Sequence, residues 1–367
     1  VLEEFNLDLP ILKIGLSYPL PEEKIKKFIK KLESILVVEE IDPILENEIA
    51  KIVKGANSNL KIYGKNLLPP VGEMKPEYVL IALSKILKRQ LPADLISHQK
   101  IFDKIKIAKR LPVFCPGCPH RATFWAVKQA LGNLLYNQPE SMSEVVFGGD
   151  IGCYLLGALP PYNLADYIVA MGAGIGISHG VSKATVGKPV VFIGDSTFFH
   201  AGIPALINLV YNKSDILLII LDNRITAMTG HQPHPGVGVT GQGEETKILK
   251  IEDIVQSCQV DKLEIINVYN LKESIIKIKE AYQTKGVSVV VAKGECRLLS
   301  VRKMARQGIR TPKFEIVEQS PDLEILKNFS CPAIRKTEKG KYYIEKNICW
   351  GCSVCSQIFP QAIKIKR

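Results

Sequence analysis

No run of apolar residues in this 367-residue chain approaches the roughly 18–20 needed to span a bilayer, so no membrane helix is expected. The opening Val1-Leu2-Glu3-Glu4-Phe5 places acids where a signal peptide carries base, which argues against secretion. It also lacks methionine, so Val1 reads as an internal cut with a further region expected upstream. No repeat of solenoid period and no low-complexity segment is found. The lysines are dispersed and nowhere form a block of five or six, and no nucleic-acid-binding motif accompanies them. The net charge of +11 then reads first as a solvated surface, with an acidic protein partner as the alternative.

What is present is an ordinary globular composition, 46% hydrophobic and 23% charged, on a chain long enough for two or three domains. Its informative feature is nine cysteines. Two tight clusters, Cys115-Pro-Gly-Cys118 and Cys349-Trp-Gly-Cys352-Ser-Val-Cys355, do not form the framework of a small secreted protein. In a chain of this size they point to metal ligation and a reducing, cytoplasmic setting.

Hydrophobic patterning divides the chain. Over 1–96, short apolar runs at Leu12–Gly15, Ile35–Val38 and Leu60–Tyr63 alternate with helical periodicity after Pro21 and over Pro43–Val53, a βαβ rhythm that predicts a small parallel sheet. The basic stretch Ser97–Leu111 reads as a linker or surface helix. Within 97–315, Pro189–Ile193, Ile216–Leu221 and Val287–Ala292 are uninterrupted apolar runs, the mark of strands buried on both faces of a parallel sheet. Helices are expected at Thr123–Leu135, Gly172–Ala184 and Gly202–Val210, giving a doubly wound α/β domain. The segment 316–367 forms a compact cysteine-bearing tail.

Two of the buried strands end in chemistry. Gly194-Asp195-Ser196 closes one, and Asp222-Asn223-Arg224-Ile225 closes the next, with Asp195 standing 28 positions before Asn223. Ligands of open parallel sheets collect at such carboxyl ends. A carboxylate and an amide oxygen there can share a magnesium ion that also binds phosphate. The pattern resembles the thiamine-diphosphate motif, with Ser196 in place of its last glycine and Asp222 in place of its first asparagine. The resemblance makes Asp195, Asn223 and the Ile225 carbonyl the magnesium ligands. The run Gly172-Ala-Gly174-Ile-Gly176 imitates a dinucleotide fingerprint, but close helix packing near the cofactor explains it more economically.

The tail resembles half of a two-cluster ferredoxin. Phe359-Pro360 stands where a ferredoxin has Cys-Pro, and Cys331-Pro332 stands where the first half-motif would end. Counting back from Cys331, the other cysteines of that half would fall on Pro321, Glu324 and Lys327. One ligand set is therefore erased and the other kept: Cys331, Cys349, Cys352 and Cys355, suited to one 4Fe–4S cluster, with a four-thiolate zinc site as the alternative.

Spacing alone does not unite Cys115, Cys118, Cys153 and Cys296, and separate core thiols are the plain reading of them. Cys115-Pro-Gly-Cys-Pro-His-Arg121, Gly149-Asp-Ile-Gly-Cys153, Thr226-Ala-Met-Thr-Gly-His-Gln-Pro233 and the tail together resemble the alpha subunit of the indolepyruvate-type 2-oxoacid:ferredoxin oxidoreductases. Tyr18-Pro-Leu-Pro21 and Val38-Glu39-Glu40 extend the likeness over essentially the whole chain, and the leading segment is similar to a transketolase-C-terminal-like domain. The resemblance implies a proximal 4Fe–4S cluster on Cys115, Cys118, Cys153 and Cys296. It also implies thiamine diphosphate contacts at Gly152, Cys153, Tyr154, Gly172, Gly194 and Ser196, and coenzyme A as co-substrate. Cys258 is left to packing. The family's pyrimidine-binding domain is not in this chain, so its activating glutamate is expected from another region or chain. A second oxidoreductase subunit of beta or gamma type in a hetero-oligomer, an external ferredoxin and an aryl 2-oxoacid substrate follow in the same way. His231 and His234 are candidates for handling a substrate carboxylate or a proton, and His120 beside the cysteine pair is unassigned. Rival readings are an oxidoreductase for another 2-oxoacid, a non-oxidative thiamine decarboxylase, which has no use for eight cluster ligands, and a purely electron-transferring ferredoxin-like subunit, which has none for Asp195 and Asn223.

Overall fold

The computed structural model describes residues 1–3, 7–56, 59–90, 111–136, 145–185 and 187–366. They belong to two compact units, Val1–Arg110 and Leu111–Arg367. Of the basic stretch expected as a linker, 97–110 lie outside the described residues.

In the first unit, Pro21 precedes helix α1 (Glu22–Ile29), whose first turn carries Glu22 and Glu23 where acids complement the helix dipole. Strand β1 (Ser34–Leu36), helix α2 (Ile44–Ala56) and strand β2 (Lys61–Tyr63) complete the expected crossover, with β1 and β2 parallel. The Glu39 carboxylate accepts from the amides of Leu45 (2.7 Å) and Glu46 (2.9 Å), covering donors at the start of α2 that have no helical partner. Ile25, Ile29, Val37, Ile49, Val53 and Leu60 form the core. Helix α3 (Pro76–Leu87) follows. The expected strand at Leu12–Gly15 is not one: this segment joins neither β1 nor β2, and Leu12 and Ile14 only pack along the edge of the core.

The second unit is built on a five-stranded parallel sheet in the order β3-β4-β5-β7-β6. Its strands are β3 (Phe147–Gly148), β4 (Val190–Gly194), β5 (Ile216–Asp222), β6 (Lys262–Asn267) and β7 (Val287–Lys293). Successive side chains go to opposite faces. Val190, Phe192, Leu217, Ile219, Val290 and Ala292 enter one core, while Val191, Ile193, Leu218, Ile220, Val289 and Val291 enter another. The first is covered by α4 (Pro119–Tyr136) and α8 (Leu271–Gln283); the second by α5 (Ala173–Ala184), α6 (Ile203–Tyr211) and α7 (Ile251–Ser257). Burial on both faces is why the central strands read as continuous apolar runs.

After α9 (Arg297–Arg306) the tail comprises β8 (Phe314–Ile316), α10 (Ile325–Phe329), the antiparallel pair β9 (Ile334–Lys336) and β10 (Tyr342–Ile344), α11 (Val354–Ile358), and β11 (Ile363–Ile365), which returns to pair antiparallel with β8. It belongs to the same compact unit as the sheet. Phe314, Leu326, Phe329 and Ile363 enter the first core, Phe329 meets Trp125 edge-on at 5.6 Å, and Tyr162 Oη donates to the Phe329 carbonyl at 2.9 Å.

Phe124 lies at the centre of this core, 1% exposed, with ring centroids 4.5 Å from Phe192, 5.7 Å from Phe114 and 5.9 Å from Tyr162. Phe124→Ala is expected to cost about 3–5 kcal/mol, read as a lowered chemical-denaturation midpoint. A loss under about 1 kcal/mol would mean that the packing is looser than described.

Candidate active site at the sheet's carboxyl edge

Strands β4 and β5 pair Gly194 with Leu221, so Asp195 and Asn223 emerge side by side. Asp195 is 3% exposed and accepts hydrogen bonds at both oxygens, most of them at Oδ2. Its Oδ1 accepts from the Ser196 amide (2.7 Å), and its Oδ2 accepts from the amides of Asn223 (3.0 Å) and Arg224 (2.8 Å) and from His234 Nε2 (3.1 Å). The Gly236 amide donates to His234 Nδ1 at 3.1 Å, so the ring hydrogen of His234 is on Nε2, pointing at the carboxylate. On the neighbouring strand end, Asn223 Oδ1 accepts from the Ile225 amide at 3.0 Å and Asn223 Nδ2 donates to His120 Nε2 at 3.0 Å. Burial drives the His120 pKa down to about 4 against the pull of Asp195, so at neutral pH its ring is uncharged and can accept that hydrogen. His120 thereby fixes the amide orientation of Asn223, a role that no local pattern announces. Asp222, buried beside Asp195, is pushed up to about 6 by burial first and then by its neighbour's charge.

Two glycines at the site have a local cause. A Cβ at Gly152 would stand 2.4 Å, and one at Gly194 2.7 Å, from Cε1 of the Tyr154 ring. Tyr154 therefore requires glycine at position 194 whatever else approaches there. At Gly172 (φ +89°) the amide donates to both oxygens of Asp150, each at 2.9 Å, and the Gly174 amide donates to Asp150 Oδ2 at 3.3 Å. The fully buried Asp150 carboxylate thus occupies the start of α5, the position a dinucleotide phosphate would take. Close packing requires glycine at Gly172 and Gly174, where a Cβ would meet Ala201 and the Gly149 carbonyl, but not at Gly176, where nothing lies within 4 Å.

His231 and His234 are separated in role. His234 is 6% exposed and committed to Asp195. His231 lies in a loop closed by paired bonds between Thr226 and Gln232, with φ +65° and a buried Nε2 that has no hydrogen-bond partner among the described residues.

All nine cysteines are free. Cys118 donates its amide to the Cys115 carbonyl at 3.2 Å around Gly117 (φ +65°), immediately before α4. The Cys296 amide donates to the Asn223 carbonyl at 2.9 Å, which ties this cysteine to the Asp195–Asn223 loop. Burial, and then the proximity of Cys296 and Cys115, pushes the Cys153 thiol up to about 11. Burial pushes Cys118 up to about 12, with Cys115 adding to it. In the tail, burial likewise raises Cys355, reinforced by Cys352, Cys331 and Cys349. The two sets adjoin: a Cβ at Gly117 would meet Cys352 Cβ at 3.1 Å and Sγ at 3.6 Å, and Arg297, next to Cys296, donates to the Trp350 carbonyl at 2.9 and 2.6 Å. Among the described residues, no three His, Cys, Asp or Glu side chains are grouped as if to hold one metal ion. Cys258 ends α7 and packs on the second core.

Residues 150–292 match the family described as thiamine pyrophosphate enzyme, C-terminal TPP binding domain. Sheet and match together make the second unit an α/β domain of the thiamine-pyrophosphate-enzyme class. Indolepyruvate oxidoreductase subunit IorA of Methanothermobacter thermautotrophicus is 41% identical over 98% of this chain and 56% of its own length. The protein of the same name from Pyrococcus horikoshii is 37% identical over 96% of this chain and 56% of its own. The chain is similar to these IorA subunits over nearly its whole length and spans about half the length of the curated relatives it matches. A solved 2-oxoglutarate:ferredoxin oxidoreductase from Magnetococcus marinus is 18% identical, with a TM-score of 0.44 over 52% of this chain and 66% of that one.

Proposed function

We propose that this chain is the cofactor-binding part of an indolepyruvate-type 2-oxoacid:ferredoxin oxidoreductase, converting aryl 2-oxoacids to acyl-coenzyme A with release of carbon dioxide. One observation carries the reading: the Cys296 amide on the Asn223 carbonyl joins a carboxylate–amide pair suited to magnesium to a region rich in free thiols.

The donor sets fit the groups proposed. Asp195 and Asn223 offer hard oxygens whose remaining lone pairs suit magnesium, with the Ile225 carbonyl as a third ligand. Cys115, Cys118, Cys153 and Cys296 on one side, and Cys331, Cys349, Cys352 and Cys355 on the other, would each hold a 4Fe–4S cluster, in which every thiolate binds a different iron and need not converge on one ion. Thiamine diphosphate, when bound, supplies the electron sink that lets a 2-oxoacid lose carbon dioxide. The clusters, when bound, accept electrons singly for delivery to a ferredoxin.

The chain's own residues orient and insulate. His234 donates to Asp195 and orients its carboxylate, and neutral His120 turns the Asn223 amide so that its oxygen is left for the metal. Tyr154 fills the space beside Gly194 and excludes water there. The hydrogen of His234 is committed, so His231, with an unused buried nitrogen, is the histidine free to take a substrate carboxylate or a proton. Two partners complete the enzyme: a source of the pyrimidine-binding domain with its glutamate, and a second oxidoreductase subunit.

Iron and sulfide analysis of the anaerobically purified complex is expected to give about eight irons for each copy of this chain. Ferredoxin reduction should be faster with indolepyruvate than with pyruvate or 2-oxoglutarate. About four irons would leave one cysteine set without a cluster; none would turn the reading to a non-oxidative decarboxylase.

A further inference from the structure

Arg121 stands one helical turn beyond Cys118 in α4 and is 1% exposed, the bulkiest fully buried side chain in the protein's described residues. Its Nη2 donates to the Phe114 carbonyl, but Nε and Nη1 are buried with no hydrogen-bond partner among the described residues. The guanidinium lies 5.9 Å from the centroid of the Phe114 ring and 5.7 Å from that of Phe329, which shut out water. A buried cation with two unpaired donor atoms is unfavourable unless negative charge lies nearby. The two rings flank the two cysteine sets: Phe114 immediately precedes Cys115, and Phe329 stands two residues before Cys331. Those sets meet at Gly117.

Resting on the two-cluster reading above, we propose that Arg121 is the shared counter-charge of two adjoining 4Fe–4S clusters, a positioning residue that holds both in reach of reduction. A cluster bound by four thiolates gains one negative charge when it takes an electron. Two such anions in contact disfavour each other's reduction, and a buried cation acting on both relieves that repulsion. Arginine serves because it cannot shed its proton when buried.

The test uses Arg121→Met, which keeps bulk without charge, and Arg121→Lys, which restores charge, each in the assembled complex. Iron and sulfide are measured first, then both clusters are titrated potentiometrically with paramagnetic resonance detection. Arg121→Met is expected to retain iron and to move at least one midpoint negative by about 59 mV, a tenfold change in a one-electron equilibrium, with Arg121→Lys recovering most of the shift. Iron lost from the Met variant but kept, at parental potentials, by the Lys variant gives the same support. Unchanged midpoints in an iron-replete Met variant overturn the proposal, as does a Lys variant that shifts as far as Met. Loss of iron from both also overturns it, because Arg121 would then only hold the pocket together. A parent complex without about eight irons per chain removes the cluster reading itself before any variant is compared.

Discussion

Asp195→Asn is expected to yield a folded complex in which activity falls by more than about 100-fold, the upper end of what losing a merely supporting partner of a metal site costs. The same variant should lose the thermal stabilisation that thiamine diphosphate and magnesium confer on the parent. The fold should survive because the isosteric amide can keep the bonds at Oδ2: its oxygen can still accept from the amides of Asn223 and Arg224 and from His234. Only the bond from Ser196 at Oδ1 meets the new NH2 group. What disappears is the negative charge that a hard divalent cation requires. A variant that still binds the cofactor within about threefold of the parent would remove Asp195 from the site. His234→Leu supplies a useful contrast, because it spares the carboxylate and removes only its orienting donor; its loss should stay within about 10–100-fold.

Cys352→Ala is expected to halve the iron of the complex, from about eight to about four per chain, and to stop ferredoxin reduction while leaving thiamine diphosphate binding intact. Cys258→Ala is the control. Cys258 packs against the second core, whereas Cys352 shares its surroundings with Cys331 and touches the Cys115–Cys118 turn. Equal iron in the two variants would show that the tail thiols hold no cluster.

Much of this architecture is written locally. Strands β4, β5 and β7 are legible because both faces of each are covered, and Asp195 and Asn223 because they end two of those strands. Edge strands are not. β6 mixes Lys262 and Glu264 with its apolar residues, and β3 is only Phe147–Gly148. Leu12–Gly15 misleads in the opposite sense, since an apolar run carries no guarantee of a neighbouring strand. At the site, the partnership of His120 with Asn223 spans 103 residues, and the use of Asp150 to close α5 spans 22. Such pairings are consequences of the finished fold and leave no periodicity to find. Arg121 belongs with them: next to His120 in a cysteine-bearing motif it is conspicuous, but its burial between Phe114 and Phe329 is not.

The tail and the parallel sheet share a single hydrophobic interior, with Phe329 against Trp125 and β11 folded back onto β8. The ferredoxin-like segment is thus no detachable cassette. A chain shortened before Phe314 would leave Phe114 and Trp125 wet, and a transplanted tail would lack the wall on which it is moulded. Cys115 and Cys118 precede the sheet's central strands and Cys355 follows them, so the junction of the two thiol groups exists only once sheet and tail have both folded. Loading of the clusters proposed there would accordingly wait for the whole second unit to close.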